Sequence, residues 1–250
     1  MKTGFDDLDS IIQINKGDLI VVASRPAMGK STLVLNILSN VVIKEKKAVL
    51  LFNLESSKEN IINKLIISNS MVEVDKFEIY DKYQKGKIIK PELTDDDWNR
   101  IAYGLNILKD APIFIGTNTP YTINDICKRS RELKPKENIE LIIIDYLQLI
   151  QFDKSKALSR DNETREILKE LKILAKELNI PIIITSQLSR KTEEKNDKRP
   201  IITDFSNTSS SILTYSNKIL FLYRDSYYNE SNKSNITDVI VAKNDKGEIR

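Results

Sequence analysis

The stretch Leu19-Ile20-Val21-Val22-Ala23-Ser24-Arg25-Pro26-Ala27-Met28-Gly29-Lys30-Ser31-Thr32 decides the fold. The apolar run Leu19–Ala23 reads as a buried strand. Leu33, Val34, Leu35, Ile37 and Leu38 follow at helical spacing. Strand, tight loop and helix, with Gly-Lys-Ser at the helix start, is the arrangement a phosphate-binding loop requires. Backbone N–H groups of such a loop wrap phosphates, and the helix adds the positive end of its dipole. The spacing predicts that Ser24 to Thr32 cradle a nucleotide. Lys30 would reach the β- and γ-phosphates, and the Ser31 hydroxyl would hold Mg²⁺. Ser24 stands where the usual G-x-x-x-x-G-K-[ST] begins with glycine. That departure leaves open a Gly-Lys-Ser that merely caps a helix.

Composition narrows the classes. The 250 residues are enough for one sizeable core, and 40% hydrophobic with 30% charged residues describes a soluble globular chain. The expected organisation is a single domain over 1–250. A formal charge of +3 permits nucleic-acid binding without demanding it. The single cysteine, Cys127, excludes an internal disulfide and reads as a small buried hydrophobe. With no histidine, His-based acid–base catalysis and His metal sites are closed. No apolar run approaches the roughly 20 residues of a membrane span. Met1-Lys2-Thr3-Gly4-Phe5 does not read as a signal peptide. The expectation is a cytoplasmic protein with no membrane partner.

The rest of the chain alternates. Residues 1–18 read as a polar lead-in, with Gly4 and Gly17 as turns. The first helix runs to about Val42, and Ala48–Asn53 is the next strand. Ser56 with Glu59 reads as a capping box opening a helix that carries Ile61, Ile62, Leu65 and Ile66. Residues 70–98 have no regular pattern until Thr94 and Asp97 start a helix to about Leu108. Pro112–Ile115 is a strand, and Thr122 with Asp125 caps another helix. Glu140-Leu141-Ile142-Ile143-Ile144-Asp145 reads as a central strand buried on both faces. Residues 151–162 lack a pattern. The helix that follows carries Ile167, Leu171, Leu174 and Leu178 on one stripe, and Asn179 and Pro181 stop it. Pro181–Ser186, Lys218–Tyr223 and Thr237–Ala242 read as strands, and 189–211 as a long polar loop. The alternation predicts an α/β fold, a mostly parallel twisted sheet flanked by helices, with ligands beyond the carboxyl ends of the strands.

Polar residues at those ends are the candidates for chemistry. Asp145 closes the strand where a Mg²⁺-coordinating acid belongs in a P-loop ATPase. Glu55 follows the second strand. It could deprotonate an attacking water, or equally serve as an acid at a helix start; spacing leaves both open. Gln187 could sense a γ-phosphate, or simply be a polar strand end.

Together these strings resemble a known family. Ala-Met-Gly-Lys-Ser (27–31), Phe-Asn-Leu-Glu (52–55), Ile-Asp-Tyr-Leu-Gln-Leu (144–149), Ser-Gln-Leu-Ser-Arg (186–190) and Phe-Leu-Tyr-Arg-Asp (221–225) are similar to the C-terminal RecA-like motor of bacterial replicative DNA helicases of the DnaB type. Thr3-Gly4-Phe5-Asp6-Asp7-Leu8-Asp9 resembles that family's domain start. The resemblance implies a RecA-like P-loop NTPase that uses ATP and Mg²⁺. It implies a ring-shaped homo-hexamer drawing single-stranded DNA through its centre, with a primase and a helicase loader as partners. It makes Lys30 and Ser31 the phosphate and Mg²⁺ ligands and Glu55 the catalytic base. Asp145 becomes the Mg²⁺ acid, Gln187 the γ-phosphate sensor, and Arg224 and Lys243 join the nucleotide-binding set. The central loops would be roughly 151–164 and 203–215.

The departures from that pattern carry a second reading. The family's last motif looks like Lys-Gln/Asn-Arg-Asn-Gly, whereas this chain has Lys243-Asn244-Asp245-Lys246-Gly247, an acid in the arginine-finger position. Asp204–Ser211 offers neutral Ser, Thr and Asn where the family has charges. The family's N-terminal helical domain, linker helix and final strands have no counterpart, so a monomer is the alternative to the ring. The alternative function is a degenerate helicase relative that binds ATP and a partner or DNA without efficient turnover. A recombinase or clock-type ATPase on the same fold is opposed by the Ile-Asp-Tyr-Leu-Gln-Leu string.

Overall fold

The computed structural model describes residues 1–73, 76, 82–84, 87–89, 93–116, 121–152, 159–229, 234–245, 247 and 249. In chain order its elements are α1 (Asp6–Ile11), β1 (Leu19–Ser24), α2 (Lys30–Lys44), β2 (Ala48–Asn53), α3 (Lys58–Ser70), β3 (Lys82–Gln84), β4 (Lys87–Ile89), α4 (Asp95–Lys109), β5 (Ile113–Gly116), α5 (Ile123–Glu137), β6 (Ile139–Asp145), α6 (Arg160–Leu178), β7 (Ile182–Gln187), α7 (Ser209–Tyr215), β8 (Lys218–Tyr223), α8 (Asp225–Tyr228) and β9 (Asp238–Asn244). They form two compact units, residues 1–55 with 113–250, and residues 56–112.

The larger unit is built on a sheet in the order β5-β2-β6-β7-β1-β8-β9. The ladders from β5 to β8 are parallel, and β9 runs antiparallel to β8. β1, β2 and β8 are buried at every position, which is why they read as unbroken apolar runs rather than alternating ones. One set of inward residues, with Val21, Leu50, Ile142, Ile184 and Phe221, packs against Ile126 of α5 and Ile167, Leu171 and Leu174 of α6. α2 lies against β1, β2, β6 and β7 and buries Val34, Ile37, Leu38 and Val41. Asn179 ends α6 in the left-handed conformation with φ 53°, as an asparagine at that position should.

The opposite edge of this sheet is tied by charge. Lys218 Nζ lies 2.6 Å from Asp18 Oδ2, and Lys218 is 1% exposed. Asn217 joins β1, α6 and the turn after β9. Its Oδ1 accepts from Leu19 N–H at 2.9 Å and from Lys172 Nζ at 2.6 Å, and its Nδ2 donates to Asp245 Oδ2 at 2.9 Å.

The smaller unit packs α3 on α4 through Ile66, Val72 and Ile101. Gly104 permits the approach: a Cβ there would stand 3.1 Å from Ser70 N and 3.2 Å from Ile66 O. Thr94 and Asp97 form the expected reciprocal cap on α4, as Thr122 and Asp125 do on α5 in the larger unit. β3 pairs antiparallel with β4. Of the segment 70–98 that lacked a sequence pattern, residues 74–75, 77–81, 85–86 and 90–92 lie outside the described residues.

Several expectations are corrected. The lead-in 1–18 contains α1. Asp9 accepts from Thr3 and Gly4 N–H and closes that turn locally, a bond set too short to leave an apolar period. Ser57, not Ser56, caps α3, its Oγ accepting from Asn60 N–H. The polar stretch 189–211 is ordered as 3₁₀ turns over Arg190–Glu194 and Ile202–Thr208 and the start of α7, held by Ser and Thr hydroxyls on backbone carbonyls. The expected central loop 203–215 is therefore turn and helix. Of the other, 151–164, residues 153–158 lie outside the description and Arg160 already begins α6 behind its Ser159 cap.

Removing one partner of the buried pair leaves an uncompensated charge. Lys218→Met should lower unfolding stability by about 3–5 kcal/mol, read from urea midpoints, and Asp18→Asn in the same chain should restore part of it. Asp97 gives a pH signature. The Thr94 N–H first, then the Thr94 hydroxyl and Lys76, hold its carboxyl down at about 2 rather than 3.8. A folded value below the unfolded one adds stability above pH 3.8 that is lost as pH falls through about 2. Asp97→Asn should flatten that acid limb in a pH series of helix melting.

Candidate functional site

β1 delivers the chain to the loop at Ser24. The turn is made further on, where Ala27 and Gly29 hold φ values of 62° and 92°. Gly29 caps α2 in the left-handed region, which favours glycine, and a Cβ there would meet nothing within 4 Å. The loop thus opens onto free space in front of α2. Met28 is buried and anchors it, while Pro26, Ala27 and Thr32 are exposed. Gly29, Lys30 and half-buried Ser31 present the first-turn N–H groups, which have no partner within a helix.

The serine at the first-glycine position fits the backbone for a local reason. Ser24 is still in β1, paired with Gln187, and needs no special backbone conformation. It is fully buried, and its hydroxyl donates to Arg25 O at 2.7 Å. Lys30 Nζ rests 3.3 Å from that hydroxyl and 3.5 Å from Ser24 O. Burial lowers the Lys30 ammonium from its ordinary value, Asp145 and Glu55 pull it back up, and Arg25 lowers it. One half-buried cation thus feels both carboxylates from the tips of β6 and β2.

Those carboxylates are positioned by the sheet. Asn53 and Asp145 are cross-strand partners. Asp145 is 2% exposed; its Oδ1 accepts from the Thr185 hydroxyl of β7 and its Oδ2 from Asn53 Nδ2 at 3.4 Å. Asn53 Oδ1 accepts from Glu55 N–H at 3.2 Å, so one amide links both acids. Glu55 itself is exposed, free to meet solvent. Tyr146 stands beside them: burial, then Glu55 and Asp145, raise its phenol above the ordinary value. Gln187 ends β7 beside Ser24 with its side chain exposed.

The structure therefore brings Lys30, Ser31, Asp145, Glu55 and Gln187 to one edge. Three other candidate side chains have their partners elsewhere. The Arg25 guanidinium turns into the protein, donating to Leu188 O at 2.9 Å and to Glu193 Oε1 at 3.0 Å from Nε. Arg224 leaves β8 on the loop's edge of the sheet but bonds Ser226 Oγ and Asn235 Oδ1. Lys243 pairs with Ile219 near the start of β8, at the far edge, its ammonium on Leu213 O and Ser216 O and 3.2 Å from Asp245. Reading by motif passed over Asn53, Thr185, Tyr146, Gln148 and Glu193. Asn53, Tyr146 and Gln148 lie inside strings already singled out, whereas Glu193 leaves no sequence signal.

The family model described as DnaB-like helicase C-terminal domain matches residues 1–250. The chain belongs to that family. Among relatives of the DnaB family, the replicative DNA helicase DnaB of Geobacillus stearothermophilus is 36% identical over 99% of this chain and 52% of its own length. The replicative DNA helicase DnaC of Bacillus subtilis is 34% identical with the same coverage. The chain thus spans about half of these curated relatives. A solved ATPase domain superposes with TM-score 0.88 at 30% identity, covering 100% of this chain and 85% of that one. A DnaB-like replicative helicase solved to show its interactions with primase gives 0.88 and 30%, with 57% of that chain covered. The RecA-like, mostly parallel sheet flanked by helices is the fold of these DnaB-like neighbours. Among the described residues no helix is long and apolar enough to cross a membrane.

The Arg25 contacts hold the loop of this DnaB-family chain on the segment after β7. Arg25→Ala should cost about 1–3 kcal/mol of stability, since the buried Leu188 carbonyl loses its donor. Glu193→Gln, which keeps an acceptor, should cost less in the same thermal melts.

Proposed function

We propose that this chain is the ATP-driven motor of a replicative DNA helicase, hydrolysing ATP and coupling that to movement on single-stranded DNA and duplex unwinding. The observation that carries the reading is the half-buried Lys30 ammonium, in the field of Asp145 and Glu55, at a loop whose Gly29 faces open space. Family membership over all 250 residues favours the motor over a degenerate relative without turnover.

The residues fit ATP with Mg²⁺. A half-buried serine hydroxyl and a buried carboxylate are hard oxygen donors of the kind Mg²⁺ takes, so Ser31 and Asp145 would hold it. When bound, the ion would neutralise charge on the phosphate oxygens. The N–H groups of the loop and α2, with Lys30, would bind the phosphates. Glu55, exposed and held by its own N–H on Asn53, would accept the proton of the attacking water. Gln187 would place its amide against the terminal phosphate from the neighbouring strand.

Assembly follows the same reading. A homo-hexamer around single-stranded DNA, with a primase and a helicase loader as partners, is the arrangement proposed; the solved relative with primase supports the first of those partners.

Glu55→Gln should leave the affinity for a fluorescent ATP analogue near wild type and reduce turnover by about 10²–10⁴-fold. Lys30→Ala should abolish measurable binding itself. Steady-state hydrolysis with and without a single-stranded oligonucleotide, and unwinding of a forked duplex, would read the rest. A wild-type chain that binds the analogue yet shows no DNA-stimulated turnover in any assembly state would return the degenerate reading.

A further inference from the structure

Gln148 has no part in the chemistry derived above, yet its carboxamide grips the end of β7. Its Nε2 donates to Ser186 Oγ at 3.0 Å and to Gln187 O at 3.0 Å, and its Oε1 accepts from Gln187 N–H at 3.2 Å. A side chain that both donates to and accepts from one residue's main chain fixes that peptide as a neighbouring strand would. The position calls for such a support. The β6–β7 ladder runs through Ile144 and Ile184, whereas β1 pairs with β7 as far as Ser24 and Gln187. Beyond Ile184, Gln148 takes the place of β6 against Gln187.

The grip continues outward. The main-chain oxygen of Gln148 accepts from Arg160 Nη2 at 2.6 Å, and Arg160 is the first residue of α6. Arg160 Nη1 also meets Glu163 Oε2 at 2.8 Å, one turn into the helix. A contiguous path therefore runs from Ser24 at the phosphate-binding loop, across the ladder to Gln187, through Gln148 to the start of α6.

We propose that Gln148 is a positioning residue that sets Gln187 against the loop and carries displacement of Gln187 on nucleotide binding to the start of α6. The proposal rests on the reading that this edge binds ATP. Its physical basis is that the path consists of discrete hydrogen bonds. A shift of the Gln187 peptide must either carry Gln148 with it or break them.

Hydrogen exchange of the full chain, with and without Mg²⁺ and a non-hydrolysable ATP analogue, tests it. In wild type the analogue should slow exchange at residues 24–32 and also at 159–164. Gln148→Ala should keep the first effect within about twofold and reduce the second by about threefold or more. Gln148→Glu should behave alike, because a carboxylate cannot donate to Gln187 O. A merely structural loss would raise exchange at 159–164 without nucleotide and leave the analogue's increment intact, and that result overturns the proposal. So does a wild type protected at 24–32 but not at 159–164. A wild type with no protection at 24–32 overturns the nucleotide reading and this proposal with it.

Discussion

The site depends on parallel register. Because β1, β7, β6 and β2 run the same way and end nearly level, their carboxyl tips form a row in which neighbours stand about 4.8 Å apart. Ser24 faces Gln187 across one ladder, and Asn53 faces Asp145 across another. Nothing in the loop's own sequence could place two acids near Lys30. The ladders do so, and they can because both sheet faces are buried and a slip in any strand would turn its apolar side chains out of register with their neighbours.

Burial then gives the row its electrical character. Lys30 sits where desolvation opposes its charge, and Asp145 and Glu55 offset that opposition. Asp145 is itself buried and accepts hydrogen bonds from the Thr185 hydroxyl and the Asn53 amide. Glu55 is exposed, and its backbone N–H is held by Asn53. Two carboxylates at the ends of adjacent strands thus have different surroundings, one fixed and buried, the other accessible, which is the contrast the proposed roles require.

How much of this was legible depended on whether the determining contacts were local in sequence. β2 and β8 were placed residue for residue, because doubly buried strands must be apolar throughout. The Thr94 and Thr122 caps were legible because each is closed within three residues by its own aspartate. The ordering of 189–211 was not, since it rests on scattered hydroxyl-to-carbonyl bonds and on Arg25 reaching Glu193 across the sequence. Where the loop turns was likewise not legible. The pattern counts a turn at its first position, whereas here the backbone turns at Ala27 and Gly29 and Ser24 remains strand. Asn53, which links both acids, was quoted in a motif and given no role, because a cross-strand partner cannot be seen from one strand alone.

Lys243 and Asp245 show what the fold excludes. Lys243 pairs with Ile219, which pairs with Val21, so it lies three residues back along the sheet from Ser24 and two strands across. At about 3.3 Å per residue and 4.8 Å per strand, the offset is more than 10 Å, beyond the reach of a lysine side chain. Its ammonium is moreover engaged with the last carbonyls of α7 and with Asp245, and Asp245 with Asn217. Lys243 therefore does not reach this chain's own loop. Asp245, the acid in the arginine-finger position, is remote from its own loop for the same reason. Its immediate effect is to hold Lys243 and Asn217 in place at the edge remote from the chemistry.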